Sequence, residues 1–245
     1  MRKISFEEVR AAVEMLRARA ERWLPPEVGM MIECASETEP SPERRELLLK
    51  LYDDFIDAGL NRRSLGMDTV RYLVFASIGR DAELDGFALG NAVREGIRGE
   101  YELCEMQSDA GGLRLTVLPV GADFEEQCSV SPAGEFRSGA EIALYAARDA
   151  RPDGPFIAGI GLADTAGGAR AASRLALSRP IDMSNPDAGI ADMERDVKKR
   201  FNSRVSGYAR AMAVLVENRS TAAAPAYCAV QISGCLLRRA SVSFS

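Results

Sequence analysis

The sequence contains no histidine in its 245 residues. Histidine is the side chain whose unperturbed pKa places a proton switch near neutral pH. Its absence excludes Ser-His-Asp and Cys-His nucleophile pairs, an imidazole general base and any zinc site that uses histidine. Catalysis by this chain would therefore rely on carboxylates, lysine, tyrosine, cysteine or a cofactor.

Cysteine is scarce, and it never occurs in a C-x-x-C pair. The five cysteines are Cys34, Cys104, Cys128, Cys228 and Cys235. An odd number of scattered cysteines does not indicate a disulfide framework. We expect reduced thiols that pack as small apolar side chains, with a reactive thiol or a cluster ligand as the alternative.

The chain also lacks excess basic charge and long apolar runs. Its net charge of −5 argues against nucleic acid as a partner, because phosphate binding needs a basic face. No apolar run approaches the roughly 20 residues that span a bilayer, and the N-terminal ten residues lack the apolar stretch of a signal peptide. We therefore expect a cytoplasmic protein with neither a nucleic-acid nor a membrane partner.

The first quarter of the chain has helical patterning. Ser5 and Glu8 form a capping box before an apolar stripe that runs to Leu24, where Pro25 and Pro26 stop the helix. A second helix is predicted from Pro26 to about Cys34 and a third from Ser41 to Gly59. Residues 1–60 are thus predicted to be a helical N-terminal part.

Residues 61–245 alternate between strand and helix patterns. The predicted strands are Val70–Ala76, Leu113–Leu118, Phe156–Leu162, Ala209–Val216 and Ala226–Ser233, and the predicted helices are 86–98, 138–149, 166–178 and 187–202. The prediction is a single α/β (α+β) domain over 1–245, with a helical N-terminal region packed on a mixed β-sheet and no internal repeat.

Three stretches could bind an anion or a carboxylate, and each also has an ordinary structural interpretation. The glycines between Ile157 and Gly168 could cradle an anion at a helix N-terminus, or could allow close packing. Asp68 and Thr69 could converge on a ligand, or could bond the local backbone. The arginines Arg210, Arg238 and Arg239 could grip carboxylates, or could be solvated.

Taken in order, these pieces resemble the α region of iron-sulfur (class I) fumarate hydratases and L-tartrate dehydratases over nearly the whole chain. The segments that carry the resemblance are LPPEV at 24–28, SPERRELLL at 41–49, LGMDTVRYLVFASIG at 65–79, NAVREGIRGEYE at 91–102, LRLTVLPVG at 113–121 and GPFIAGIGLADTAGGARAASRLALSRPI at 154–181. The resemblance implies the family's α-region fold and a dimer.

In that family three cysteines hold a [4Fe-4S] cluster whose open iron acts as a Lewis acid in adding or removing water. The matching positions here are Gly66, Gly154 and Gly234, and none of them carries sulfur. Cys235 lies one residue beyond the third position, yet one thiolate cannot hold the cluster. The resemblance therefore implies that no cofactor is bound and that no metal ligand remains at these positions.

Other family motifs are also altered. The family's lysine- and asparagine-containing loop matches residues 119–126, which have neither residue type. Its glycine-rich Gly-Leu-Gly-Gly-Lys-Thr-Thr segment matches 206–212, where Arg210 keeps a cation, and Arg238 matches a family arginine. Since the sequence ends at Ser245, we expect the family's second, β region to be missing from this polypeptide.

Three functional hypotheses follow. The first is a divergent, cluster-free relative of the hydro-lyase α subunit. Such a protein would be inactive, bind a small dicarboxylate, or be the partner of an active or β-like subunit. The substrate-binding candidates are Asp68, Thr69, Arg210 and Arg238. The second is an active hydro-lyase with a divalent metal on rebuilt carboxylates, namely Asp68, Asp123, Glu125 and Glu126. The third is a structural assembly module.

Overall fold

The computed structural model describes residues 3–61, 63, 69, 71–121, 127–133, 141, 143–144, 154–204, 210–222, 224–234 and 236–244. In chain order the elements are β1 (Lys3–Ile4), α1 (Phe6–Arg22), α2 (Pro26–Thr38), α3 (Pro42–Leu60), β2 (Arg71–Gly79), β3 (Glu83–Leu84), α4 (Leu89–Ile97), β4 (Tyr101–Ser108), β5 (Leu113–Val120), β6 (Cys128–Pro132), β7 (Phe156–Ala163), α5 (Ala166–Ala176), α6 (Ala188–Arg204), β8 (Ala211–Asn218), β9 (Tyr227–Gly234) and β10 (Ala240–Phe244).

The N-terminal helices confirm the prediction for the first quarter of the chain. Ser5 caps α1: its hydroxyl accepts a hydrogen bond from the backbone N–H of Glu8, whose side chain accepts one from the Ser5 N–H. Helices and mixed sheets together give an α+β fold. The helix predicted over 138–149 lies largely outside the described residues.

The chain divides into two compact units built from separate segments. The first unit comprises Met1–Pro25, Asp53–Ala122 and Arg238–Ser245, and the second comprises Pro26–Tyr52 and Asp123–Leu237. Each unit is defined by the dense contacts among its own residues. The single domain expected over 1–245 stays a prediction.

In the first unit the described strands form a sheet in the order β10-β5-β2-β4, and β1 pairs with β3. β2 runs parallel to β4 and antiparallel to β5, which is antiparallel to β10. One sheet face packs on α1 and α4, where Val13, Val93 and Val74 are fully buried. This apolar core fixes the position of β2.

In the second unit the described strands form a sheet in the order β6-β9-β7-β8. β7 runs parallel to β8 and antiparallel to β9, which is antiparallel to β6. Val197 and Phe201 of α6 pack on the face that carries Ile160. Ala169 of α5 packs on the other face.

The two sheets have the same spatial arrangement of strand directions, although β6 precedes the other strands of its sheet in the chain and β10 follows those of its own. In each, a parallel pair is joined by a helical crossover, an antiparallel strand follows, and a further strand is antiparallel to that one. This last strand carries the sequence Ser-Val-Ser in both sheets, at 129–131 in β6 and at 241–243 in β10. The likeness between the sheets is one of strand direction, and the prediction that the sequence has no internal repeat stays a prediction.

The predicted strands are an incomplete set. β2, β5, β7, β8 and β9 match predicted strands within a few residues, whereas β1, β3, β4, β6 and β10 have no predicted counterpart. Among the described residues, no helix combines the length and apolar character required to cross a membrane.

Candidate functional site

Three glycines match the cluster-ligand positions of the resembled hydro-lyase family, and two of them lie at one end of the second unit's sheet. Gly234, the last residue of β9, is the register partner of Phe156, the first residue of β7. Gly154 lies two residues before Phe156 along the chain. The structure thus brings together two glycines that are far apart in sequence. A Cβ built on Gly234 would meet no atom within 4 Å, so the position has room for a side chain.

Arg210 is at the same end of this sheet. Its backbone carbonyl accepts a hydrogen bond from the Phe156 N–H at 3.0 Å. Its guanidinium Nη2 donates to Thr38 Oγ1 at the end of α2, at 2.6 Å. Of the sequence-derived candidates, Gly154, Arg210 and Gly234 therefore converge.

The described cysteines do not offer three thiolates at one place. Cys128 and Cys228 lie on adjacent strands but on opposite faces: Cys128 contacts Ser173 of α5, whereas Cys228 is buried in the core beneath α6. Cys34 is on α2, and Cys104 belongs to β4 of the first unit. No group of three or more cysteine, aspartate and glutamate side chains suited to a metal ion occurs among the described residues. These residues do not fit a [4Fe-4S] cluster.

Burial also keeps two of the described thiols protonated at neutral pH. Burial raises the pKa of Cys228 to about 12, and burial raises the pKa of Cys128 against the opposing effect of Arg170 and Arg174. The thiolate is the form that binds metal and reacts. Cys34 is the exposed thiol among those described. Cys235 lies outside the described residues.

Arg238 and Thr69, both substrate-binding candidates, are in contact within the first unit. Arg238 Nη2 donates a hydrogen bond to Thr69 Oγ1 at 3.3 Å. The arginine is only 5% exposed, and burial lowers its pKa while Tyr72 and Glu21 act to raise it. The Tyr72 hydroxyl in turn donates to Glu21 Oε1. This cluster contains a buried cation whose remaining N–H groups could donate to a carboxylate.

The glycines of β7 are packing glycines. A Cβ on Gly159 would lie 2.2 Å from the Ser173 carbonyl oxygen, and one on Gly161 would lie 2.0 Å from that of Ala169. At the start of α5 the Thr165 hydroxyl accepts from the Gly168 N–H at 3.0 Å. The close-packing interpretation of this segment is confirmed.

The second unit has a cleft of about 470 Å³ that the sequence patterns do not indicate. It lies between α2, the segment 181–184, α6 and β8. Its lining includes Lys198, whose pKa is lowered by partial burial and by the nearby charge of Arg210, although much of the side chain is exposed. The charged run at 194–200 resembles an ordinary solvated helix face, so the sequence gives no signal for this cleft.

Several predicted site positions lie outside the described residues. These are Gly66, Asp68, Asp123, Glu125 and Glu126. The carboxylate metal site of the second hypothesis consists entirely of such residues, so it stays a prediction.

No protein-family model matches this chain, and no curated protein matches it.

Proposed function

We propose that this protein is a divergent relative of the α subunit of class I fumarate hydratases and L-tartrate dehydratases that has kept the scaffold and lost the iron-sulfur cluster. It binds a small dicarboxylate without hydrating it, or serves as the partner of an active or β-like subunit. The cytoplasmic location and the homodimer rest on the sequence and the resemblance alone.

The convergence of Gly154, Arg210 and Gly234 is the observation that supports the proposal best. Ligands to one cluster must meet in space, and two matched positions do lie at one end of one sheet. Glycine has no side chain that could bind a metal, so the backbone arrangement of the site would be retained while its metal-binding groups are lost. Fold is set by apolar patterning and function by a few side chains, so one can persist without the other.

The buried pair of Arg238 and Thr69 supports carboxylate binding. A guanidinium can donate two parallel hydrogen bonds to a carboxylate. Arg238 is held in place by the Thr69 hydroxyl and by the charge of Glu21. A dicarboxylate would place one carboxylate on this guanidinium.

Thermal unfolding with a panel of dicarboxylates and hydroxy acids tests the proposal. A ligand at 100 times its Kd should add about 2.7 kcal/mol of stability. R238M and T69V should each lose the ligand-induced shift in Tm, R238K should retain part of it, and R80M, at an exposed arginine of the same unit, should retain it fully. Stabilisation by none of the acids would favour the assembly module. Air-free hydration of fumarate with Mg²⁺, Mn²⁺ or Fe²⁺ would establish the rebuilt hydro-lyase instead.

A further inference from the structure

The cleft of the second unit is formed by one face each of two helices and by β8. On α2 the lining residues are Glu27, Met30, Met31 and Cys34, and on α6 they are Ala191, Glu194, Arg195 and Lys198. Both sets have the i, i+3, i+4, i+7 spacing that places side chains on one helix face. From β8 the lining residues are Met212, Ala213, Val214 and Leu215.

The polarity of the cleft changes from one end to the other. Near the start of β8, Asn202 of α6 exchanges hydrogen bonds with the backbone of Ala211, and Arg210 donates to Thr38. Lys198 lines the cleft one helical turn before Asn202, and Arg210, which is not part of the lining, is the charged neighbour of Lys198, so this end is cationic. Near the end of β8, Glu194 accepts a hydrogen bond from the Val216 N–H at 2.8 Å.

The cationic end has an unbalanced charge. Among the cations of the lining, Arg195 pairs with Asp192, whereas Lys198 has no ion pair with any described residue. Its charged neighbour is Arg210, and two adjacent cations repel each other. An anion bound to Lys198 in the cleft would relieve that repulsion.

The middle of the cleft is apolar. Met30, Met31, Met183 and Met212 all line it, together with Val214 and Leu215. Met30 and Met183 are more than half exposed, so this apolar surface is accessible. Methionine side chains adapt to irregular apolar ligands. From Met212 to Leu215 the strand extends about 10 Å, which is the length of an extended chain of about eight carbons.

We propose that this cleft binds a medium-chain aliphatic monocarboxylic acid, with the carboxylate on Lys198 and the carbon chain along the methionines. The volume of about 470 Å³ is in the range of small-molecule sites, which is about 300–1,000 Å³. This site goes beyond the proposed dicarboxylate function and depends on neither the family assignment nor the absence of a cluster.

The acidic end explains why one carboxylate is preferred over two. Glu27 is in the first turn of α2, about 10 Å along the helix axis from Cys34. Glu27, Asp182 and Glu194 all line the cleft, and Glu194 is already paired with Arg179. A second carboxylate at the far end of a diacid would meet the like charges of Glu27 and Asp182, whereas the charge of Glu194 is already balanced by Arg179.

Alkylation of Cys34, followed by peptide mass spectrometry, reports occupancy of this cleft directly because Cys34 is exposed and lines it. Octanoate at ten times its Kd should slow alkylation of Cys34 about tenfold by occupying the site, without slowing that of Cys104 in the first unit. Suberate, the diacid of equal length, and 1-octanol should each require at least about a tenfold higher concentration than octanoate to protect Cys34 equally. Equal protection by suberate or octanol, or none by octanoate, would overturn the proposal.

Variants of adjacent lysines localise the carboxylate. K198M should weaken octanoate binding about tenfold, because it removes a charge-assisted hydrogen bond while keeping a side chain of similar length. K199M is the matched control and should change binding less than about twofold, since Lys199 does not line the cleft. K198R should restore most of the affinity. Equal losses of octanoate affinity in K198M and K199M, or no loss in K198M, would contradict the site. If a variant fails to fold, the comparison of octanoate, suberate and octanol on the unmodified chain still tests the proposal.

Discussion

Gly161 on β7 lies directly against Ser173 on α5, so that a Cβ at Gly161 would be 2.3 Å from the Ser173 backbone nitrogen. The same Cβ would be 2.0 Å from the carbonyl oxygen of Ala169. Both neighbours are backbone atoms of a helix, which cannot rotate away as a side chain could. The glycine is therefore what allows α5 to pack closely on β7.

Replacing Gly161 by alanine should lower the free energy of unfolding by about 3 kcal/mol, because overpacking forces the helix away from the sheet. G167A is the matched control in the same segment. A Cβ there meets no atom within 4 Å, and alanine in a first helical turn should change stability by less than about 1 kcal/mol, toward greater stability. Urea unfolding of both variants measures the difference, and equal stability of G161A and G167A would refute the packing role.

Glu194 of α6 forms a buried ion pair with Arg179 and a hydrogen bond with the backbone of β8. Its Oε1 pairs with Arg179 and accepts from the Val216 N–H, and both side chains are largely buried. E194A should cost about 3 to 5 kcal/mol because it leaves a buried guanidinium without its carboxylate. The double variant E194L/R179M should recover much of that loss.

The control for this pair is on the same helix. Asp192 pairs with Arg195 at the surface, where both side chains are about two-thirds or more exposed. D192A should therefore change stability by less than about 1 kcal/mol. A loss in D192A as large as that in E194A would mean that burial of the Glu194 pair is not what matters.

Alkaline pH should reveal the buried tyrosine of the first unit. Burial, aided by the hydrogen bond to Glu21, raises the pKa of Tyr72 to about 12. The unfolded chain releases this proton near pH 10, so the folded state binds it more tightly between about pH 10 and 12. This contribution to stability is complete below pH 10 and is lost as pH rises to about 12. It amounts to about 1 to 2 kcal/mol after allowance for solvent screening.

Chemical denaturation from pH 8 to 12 tests this linkage. The stability difference between the unmodified chain and Y72F should shrink across the interval from pH 10 to 12, since phenylalanine has no proton to lose. A difference that stays constant with pH would show that the Tyr72 proton is not held more tightly in the folded protein.

Much of the fold could be predicted because its signals are local. The capping box at Ser5 and the apolar run of β7 specify their elements without help from the rest of the chain. β4 was missed because Glu102, Glu105 and Gln107 interrupt its apolar pattern; it lies at one side of the described sheet, and its burial is only partial. β6 and β10 are short, and each pairs with a strand about a hundred residues distant, as Ser241 does with Thr116.

The candidate site was predictable only in part. The meeting of Gly154 with Gly234 depends on the register between β7 and β9, which local sequence does not determine. Lys198 could not be singled out, because its importance comes from α2 and β8 lying beside α6. Residue types can suggest chemistry, but convergence of distant segments creates the site.

The most direct test of the cluster-free scaffold is iron and acid-labile sulfide analysis of the unmodified chain after anaerobic reconstitution. We predict far less than one cluster per chain, because the matched positions Gly66, Gly154 and Gly234 carry no thiolate. About four iron and four sulfide per unmodified chain, with the absorption spectrum of a [4Fe-4S] protein, would contradict the account.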